Sequence, residues 1–328
     1  MYSKKDEQSI LRIHQQLDKN PKMYFSGASA IQQEYRKLYP NANVPSLRFI
    51  GRTLTKYGFS KALKVRRKGV SRYLHYPAAL IENLGESLLE VDFIGKKFIL
   101  GRTEPVHFIA FSLKQPRKLK YFQRIESETS GEVIQHCQLF FNRYEKPSVV
   151  KLDNGFAFAG TIPYPRILTS VILFLLKEKI IPVFTTPRKP WNQASVEGAN
   201  SIFSRKFWAR FRFQTLDEVD DRLDEFNDAY ESYLQYERPR HRTRMKAKFT
   251  PRVYFIRKVY EHPESQHGYI DVVKEQITLP KAYIGLFVLA EWNLKTEKLT
   301  VYFEKDKKPV AVKKLKFFLN PTTKQKVA

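Results

Sequence analysis

The sequence predicts a mixed α/β layer, preceded by a small helical domain and followed by a small β-barrel. Three observations predict it: residues 4–58 carry three short helix-period apolar patterns, residues 87–184 run as strands and then as alternating helix and strand, and beyond about 265 short strands recur between turn signals. With 328 residues the chain exceeds the usual single domain, and a hydrophobic content of 42% can fill more than one core.

In KKDEQSILRIHQQLD (4–18), Ile10, Leu11, Ile13 and Leu17 fall at near-helical spacing, and GASAIQQEYRKLY (27–39) puts Ile31, Tyr35 and Leu38 on one face. VPSLRFIGRTLTKYG (44–58) makes a third helix that Pro45 or Ser46 starts and Gly58 stops, with Arg48, Arg52 and Lys56 four apart. Three such helices suit a helix-turn-helix module with a basic face toward DNA, or a small basic bundle that makes no base contacts. Residues 59–77 lack apolar periodicity and read as a basic linker. SLLEVDFIG (87–95), KFILG (97–101) and HFIAFSL (107–113) read as antiparallel strands, because only short Gly- or Pro-bearing connections separate them. SGEVIQHCQLFFNRY (130–144) is a helix, VVKLD (149–153) a strand, 166–178 an apolar helix and IIPVF (180–184) a strand. After a Pro-rich loop at 185–193, a long helix begins near Ala194. LDEVDDRLDEFNDAYESYL (216–234) is amphipathic, with Val219, Leu223, Phe226 and Tyr230 inward. YIDVV, QITLP, YIGLFVLAEW, LTVYF and VAVKKLKFFL then alternate as short strands of a small barrel.

The charge balance is lopsided: 58 Lys+Arg against 33 Asp+Glu give +25, which calls for a polyanionic partner, nucleic acid first. Between Glu34 and Glu82 no acid occurs, while Arg36, Lys37, Arg48, Arg52, Lys56, Lys61, Lys64, Arg66, Arg67, Lys68 and Arg72 do. A second acid-free interval, from Glu237 to Glu261, alternates Arg238, Arg240, Arg242, Arg244, Lys246 and Lys248. In an extended chain these would form a rail along DNA phosphates; otherwise they are a solvated linker. Cys137 is the only cysteine, which excludes an intrachain disulfide and a thiolate zinc site. The longest apolar run, ILTSVILFLL at 167–176, is too short to span a bilayer, and the N-terminus is polar; a soluble intracellular protein with no membrane partner is expected.

Three acids stand out. In LLEVDFIG, period 2 sets Glu90 and Asp92 on one strand face and Leu89, Val91 and Phe93 on the other. A carboxylate inside an apolar strand is costly unless it is paired or binds a cation. Asp153 ends the strand VVKLD and opens Asp153-Asn154-Gly155, which reads either as a plain turn or as a carboxylate held rigidly at a strand end. Glu197, in PWNQASVEGANSIFSRKFW, lies at the edge of the buried stripe Val196, Ala199, Phe203 and Phe207, with Asn200 and Ser204 on nearby turns. Hard oxygen ligands without a Cys or His cluster favour Mg²⁺ or Mn²⁺ over zinc, and in so basic a chain the matching substrate is a phosphodiester. Two such ions would serve in-line phosphoryl transfer.

Asp92 in a first strand, LDNG ending a later one and PWNQASVEGAN on a following helix resemble the DDE catalytic core of retroviral-integrase-like transposases from bacterial insertion sequences. The resemblance covers roughly 85–255 and extends to FNDAYESYLQYERPRHRT and FTPRVYF, similar to the family's tail. It implies an RNase H-like core at 85–236, a helix-turn-helix domain at 1–58, basic linkers at 59–84 and 237–262, and a barrel at 263–328. It further implies that Asp92, Asp153 and Glu197 hold two divalent ions, Mg²⁺ or Mn²⁺, and that Asn154, Gly155 and Asn200 shape the site. Arg48, Arg52, Lys56, Arg66, Arg67, Lys68, Arg205, Arg238, Arg240, Arg242 and Arg244 would contact DNA.

The implied activity is cleavage at element ends and transfer of the 3′-hydroxyl into target DNA. Double-stranded DNA and an accessory transposition protein are the expected partners. The chain would assemble as a dimer or tetramer on paired ends, in the bacterial cytoplasm at the nucleoid. A structure-selective nuclease and a catalytically silent DNA-binding regulator are the alternatives. The sequence departs from the family pattern in places. The interval from Asp153 to Glu197 is long, with FAFAGTIPYPRI as the place for an extra loop, and Gln193 stands where Gly or Asn often precedes the Glu helix. HFIAFSLKQPRK lacks the usual Asp-x-x-Ser-Arg, its Lys114, Arg117, Lys118 and Lys120 have no family counterpart, and Ser201 and Ser204 replace a DNA-contacting Lys.

Overall fold

A computed structural model describes residues 2–20, 22–61, 76–115, 117–159, 165–187, 193–237, 249–306 and 308–319. Lys64, Arg66, Arg67, Lys68 and Arg72, and the alternating cations from Arg238 to Lys248, lie outside the described residues. The chain divides into two compact units. One contains the described residues of Met1–Val70 with Ile202–Tyr236, the other those of Ser71–Ser201 with Glu237–Ala328.

In the first unit, helices α1 (Lys4–Lys19), α2 (Ala28–Leu38) and α3 (Leu47–Lys56) form where the sequence places them. The start of α1 is fixed by reciprocal capping, with the Ser3 N–H donating to Asp6 Oδ2 at 2.6 Å and the Asp6 N–H to Ser3 Oγ at 3.3 Å. Ser46 caps α3 by accepting from the Phe49 N–H at 3.2 Å. Ile10, Ile13, Leu17, Ile31, Tyr35, Ile50 and Leu54 share one core. The connection from Tyr39 to Ser46 is longer than the turn of a helix-turn-helix, which is three or four residues. The helix Leu216–Leu234, α9 in chain order, buries Val219, Leu223, Phe226 and Tyr230 as its amphipathic pattern predicts. It belongs with the N-terminal helices, although the sequence grouping placed it in the central core. The reason is aromatic: Tyr24 meets Phe226 edge-on at 5.0 Å and Phe25 stacks on Tyr233 at 4.4 Å.

The second unit is built on a mixed sheet. Its strands are β1 (Leu88–Lys97), β2 (Val106–Gln115), β3 (Leu119–Ile125), β4 (Val149–Leu152), β5 (Ile167–Leu168), β6 (Ile181–Phe184), β7 (Arg252–Lys258), β8 (Tyr260–Glu261), β9 (Gly268–Val272), β10 (Glu275–Leu279), β11 (Phe287–Asn293), β12 (Lys298–Tyr302), β13 (Ala311–Lys314) and β14 (Phe318–Leu319). The main sheet runs β3-β2-β1-β4-β6-β7-β11-β12-β13. Antiparallel β1, β2 and β3 are followed by β4 and β6 parallel to β1, an order that fits an RNase H-like core. The third antiparallel strand is not KFILG, as the sequence suggested, but residues 119–125. Phe98 and Leu100 are exposed in the β1–β2 connection, whereas Leu119, Tyr121, Phe122 and Ile125 are buried.

Besides α4 (Ala78–Glu82), the helices of this unit are α5 (Ser130–Arg143), α6 (Phe156–Ala159), α7 (Ser170–Lys177) and α8 (Ala194–Ile202). Register decides which face of the sheet each helix covers. Val91 is paired with Phe111, and Phe111 stacks on Phe140 of α5 at 4.8 Å. The alternate face holds Glu90 opposite Ser112 and Asp92 opposite Ala110, and it meets α8.

The C-terminal strands do not stand apart from this core. Residues 252–258, expected within a linker, form β7, which pairs in parallel with β6 through Val183–Tyr254 and Phe184–Phe255. Strands β11, β12 and β13 continue the same sheet, and β8, β9 and β10 form a second one. Strand β9 lies beside β7 and β10 beside β13, with the Arg257 guanidinium donating to the Asp271 carbonyl at 2.7 Å across the first seam. Backbone ladders do not close these seams among the described residues. No helix among them is long and apolar enough to cross a membrane.

Candidate active site

Strands β1 and β4 run side by side in parallel, and the last pair in their ladder is Glu90–Lys151. Two residues beyond each member come Asp92 and Asp153, so the register sets the two acids at the same level where the short strand β4 ends. Phe93 and Phe158 stack at 5.0 Å, joining the residue after Asp92 to the short helix that follows the Asp153 turn.

The turn reading and the site reading of Asp153-Asn154-Gly155 prove compatible. One carboxylate oxygen, Asp153 Oδ1, accepts from the Gly155 N–H at 2.8 Å. A Cβ at position 155 would stand 3.0 Å from that oxygen, a tight contact that would press on the Asp153 carboxylate. Asn154 donates through Nδ2 to the Thr185 carbonyl at 2.6 Å, lashing the end of β4 to the end of β6. Its Oδ1 accepts from Arg257 Nη2 at 3.1 Å.

The electrostatics mark Asp92. Its carboxyl is pushed up to about 7, first by burial and then by the negative charges of Asp153 and Glu197, against hydrogen bonds from the Phe93 N–H and Asn200. Burial also raises Asp153. Asn200, on α8, reaches Asp92 Oδ2 and the Phe93 carbonyl through Nδ2 at 3.4 and 3.5 Å. Its Oδ1 is buried without a hydrogen-bond partner among the described residues. Glu197 is exposed on the same helix.

Among the described residues, no three His, Cys, Asp or Glu side chains gather as a group able to hold a metal ion. The fit to a divalent cation therefore rests on Asp92 and Asp153. Both are carboxylates raised first by burial and then by like charge, from Asp153 and Glu197 on Asp92 and from Glu128 on Asp153, and a cation would relieve that repulsion. A buried amide oxygen without a partner, Asn200 Oδ1, lies on the residue that already contacts Asp92. Such a donor set suits Mg²⁺ or Mn²⁺; the charge of Glu197, exposed on α8, also bears on Asp92.

Several residues around the acids went unassigned in the sequence. Glu90, only 1% exposed, accepts from Lys151 Nζ at 3.2 Å and from the Val196 N–H of α8 at 3.1 Å. Lys120 donates to the Ser195 carbonyl at 2.6 Å, and burial pulls its ammonium down to about 8. Ser112 and Ser195 share a hydrogen bond of 2.7 Å. Arg257 is buried, with four acceptors around its guanidinium: Asn154 Oδ1 and the carbonyls of Thr185, Ile256 and Asp271. The period-2 face shared by Glu90 and Asp92 was the available signal for the first; Lys151 stands at the same offset before Asp153, which only the strand register reveals.

The cations assigned to DNA divide three ways. Arg48, Arg52 and Arg205 are exposed. Lys56 is already paired, with Nζ 2.8 Å from Glu7 Oε2. Arg66, Arg67, Lys68, Arg238, Arg240, Arg242 and Arg244 lie outside the described residues.

No protein-family model matches the sequence, and no curated protein matches it either. Solved structures do. The catalytic core domain of BIV integrase is 18% identical, with 45% of this chain and 83% of that chain covered and a TM-score of 0.33. A simian T-cell lymphotropic virus intasome in complex with PP2A regulatory subunit B56 gamma is 13% identical, with 80% and 94% covered and a TM-score of 0.39.

Proposed function

We propose that the chain is a DNA transposase or integrase, a DDE polynucleotidyl transferase that cuts at the ends of a bacterial mobile element and joins the exposed 3′-hydroxyl to target DNA. The observation that carries this reading is the pair Asp92 and Asp153, set level on neighbouring parallel strands, with Glu197 near enough to raise the Asp92 carboxyl. The net charge of +25 supports a phosphodiester substrate over other hard-ligand chemistries.

In this reading Asp92 and Asp153 would hold two Mg²⁺ or Mn²⁺ ions between them, with Glu197 completing one site. Bound ions would supply Lewis-acid activation of the attacking oxygen and stabilisation of the leaving one. The chain's own residues prepare the place. The Asp153–Gly155 hydrogen bond leaves Asp153 Oδ2 for a ligand, and Asn200 steers the Asp92 carboxylate. Arg48, Arg52 and Arg205, with the basic segments, would track phosphates of double-stranded DNA. The N-terminal helices would present Arg48 and Arg52 to DNA, and the C-terminal strands, continuous with the core sheet, would carry further DNA contacts. Dimers or tetramers would form on paired ends, with an accessory transposition protein, at the nucleoid.

The test supplies an oligonucleotide end with a free 3′-hydroxyl, target DNA and Mg²⁺. Joined product supports the proposal, and Asp92→Ala, Asp153→Ala and Glu197→Ala should each abolish it. Cutting without joining would make the chain a nuclease. Binding with neither cutting nor joining would make the chain a silent DNA-binding regulator instead.

A further inference from the structure

We infer that Glu90 is a positioning residue that sets the separation of the acids on β1, β4 and α8. The inference rests on the proposed function only in taking Asp92 and Asp153 as metal ligands. Glu90 touches every element concerned. Its Oε1 lies 3.2 Å from Lys151 Nζ on β4 and 3.7 Å from Lys114 Nζ on β2, and its Oε2 accepts from the Val196 N–H at 3.1 Å. Two residues on from Glu90 is Asp92, two on from Lys151 is Asp153, and one on from Val196 is Glu197.

The chemistry of this knot makes it specific. Glu90 and Lys151 are 1% and 3% exposed, and charges so buried persist only when each is paired. The pair fixes the register of β1 against β4, because sliding either strand by one residue would leave two buried charges unmatched. The same carboxylate holds the first turn of α8, where acceptance from a backbone N–H near a helix start is favoured by the helix dipole as well. Lys120, through the Ser195 carbonyl, and Ser112, through Ser195 Oγ, hold the neighbouring residue of that turn to β3 and β2. A displaced Glu90 would thus move all three acids relative to one another, over a lever of about 7 Å along each strand. Residues that orient ligands in this way change metal affinity about 10–100-fold when altered.

Mn²⁺ binding to the full chain, read by the paramagnetic resonance signal of the free ion, tests this without relying on catalysis. Glu90→Gln keeps the size of the side chain and an acceptor for Val196 but removes the charge. It should weaken Mn²⁺ binding by about tenfold or more at a temperature where the variant is folded. Glu90→Gln combined with Lys151→Met removes the stranded ammonium, and it should recover melting temperature without recovering Mn²⁺ affinity. If Glu90→Gln alone does not fold, the double variant carries the comparison. Wild-type Mn²⁺ affinity in the folded variant would overturn the inference, since a merely structural role moves melting temperature alone. Asp92→Asn and Asp153→Asn separate the two readings. If they abolish Mn²⁺ binding while Glu90→Gln leaves it intact, only the positioning role fails; if they leave it intact, or the wild type binds none, the ligand assignment fails and takes this inference with it.

Discussion

Arg257 donates to Asn154 Oδ1 at 3.1 Å, so a residue of the first C-terminal strand holds the turn that presents Asp153. The same guanidinium bonds the Thr185 carbonyl, which Asn154 Nδ2 also reaches. Replacing Arg257 with Met would strand several buried acceptors. We expect a loss of about 3 kcal/mol in urea unfolding, with Arg257→Lys restoring only part because an ammonium lacks the fork geometry.

Asp92 predicts a pH dependence in metal-free protein. Its folded carboxyl titrates at about 7, above the unfolded value of 3.8, so the folded chain holds that proton more tightly. Its contribution to stability is therefore present at low pH and is lost as pH rises from about 4 to about 7. Asp92→Asn should equal wild type near pH 4 and exceed it by about 2–4 kcal/mol at pH 8. Denaturant titrations at the two pH values check this; saturating Mg²⁺ at pH 8 should stabilise wild type and not the variant.

Cys137 is buried in α5, and burial pushes its thiol up to about 12. Native protein should fail to react with an aromatic disulfide reagent at pH 8, and one equivalent should react in denaturant. Prompt labelling of the native chain would contradict its place in the core.

Lys56 and Arg52 lie four apart on α3 but should behave differently on DNA. The Lys56 charge is met by Glu7 at 2.8 Å, whereas Arg52 has no ion pair among the described residues. Arg52→Ala should reduce the slope of log affinity against log salt by about one, and Lys56→Ala by clearly less.

A carboxylate in an apolar strand contradicts its surroundings, which makes Asp92 stand out in the sequence; Asp153 ends its strand at a turn, and only the resemblance favours a ligand over a plain turn there. What holds them was not legible. Lys151 looks like an ordinary strand residue until β4 is placed beside β1, and Arg257 fell in a stretch taken for a linker. The mistaken strand has a similar cause: KFILG is apolar but its Phe98 and Leu100 face solvent, while LKYFQRI follows a basic cluster that masked its alternation. Helix α9 had the right inner face, but an amphipathic stripe says nothing about which core it joins, and aromatic partners at Tyr24 and Phe25 decide that. Glu197 stands out by its place at the edge of a helix stripe and by the resemblance, and the structure leaves it exposed on α8.

The parallel join of β6 to β7 makes the C-terminal segment from Arg252 onward a protective cover. Were the chain cut before Arg252, the backbone of Val183 and Phe184 would become a bare sheet edge, and Phe184 would lose the ring of Phe255 stacked at 5.6 Å. An uncovered apolar edge recruits strands from other molecules. The truncated core would accordingly precipitate or pair edge to edge, with the Asp153 turn deprived of the arginine that steadies it.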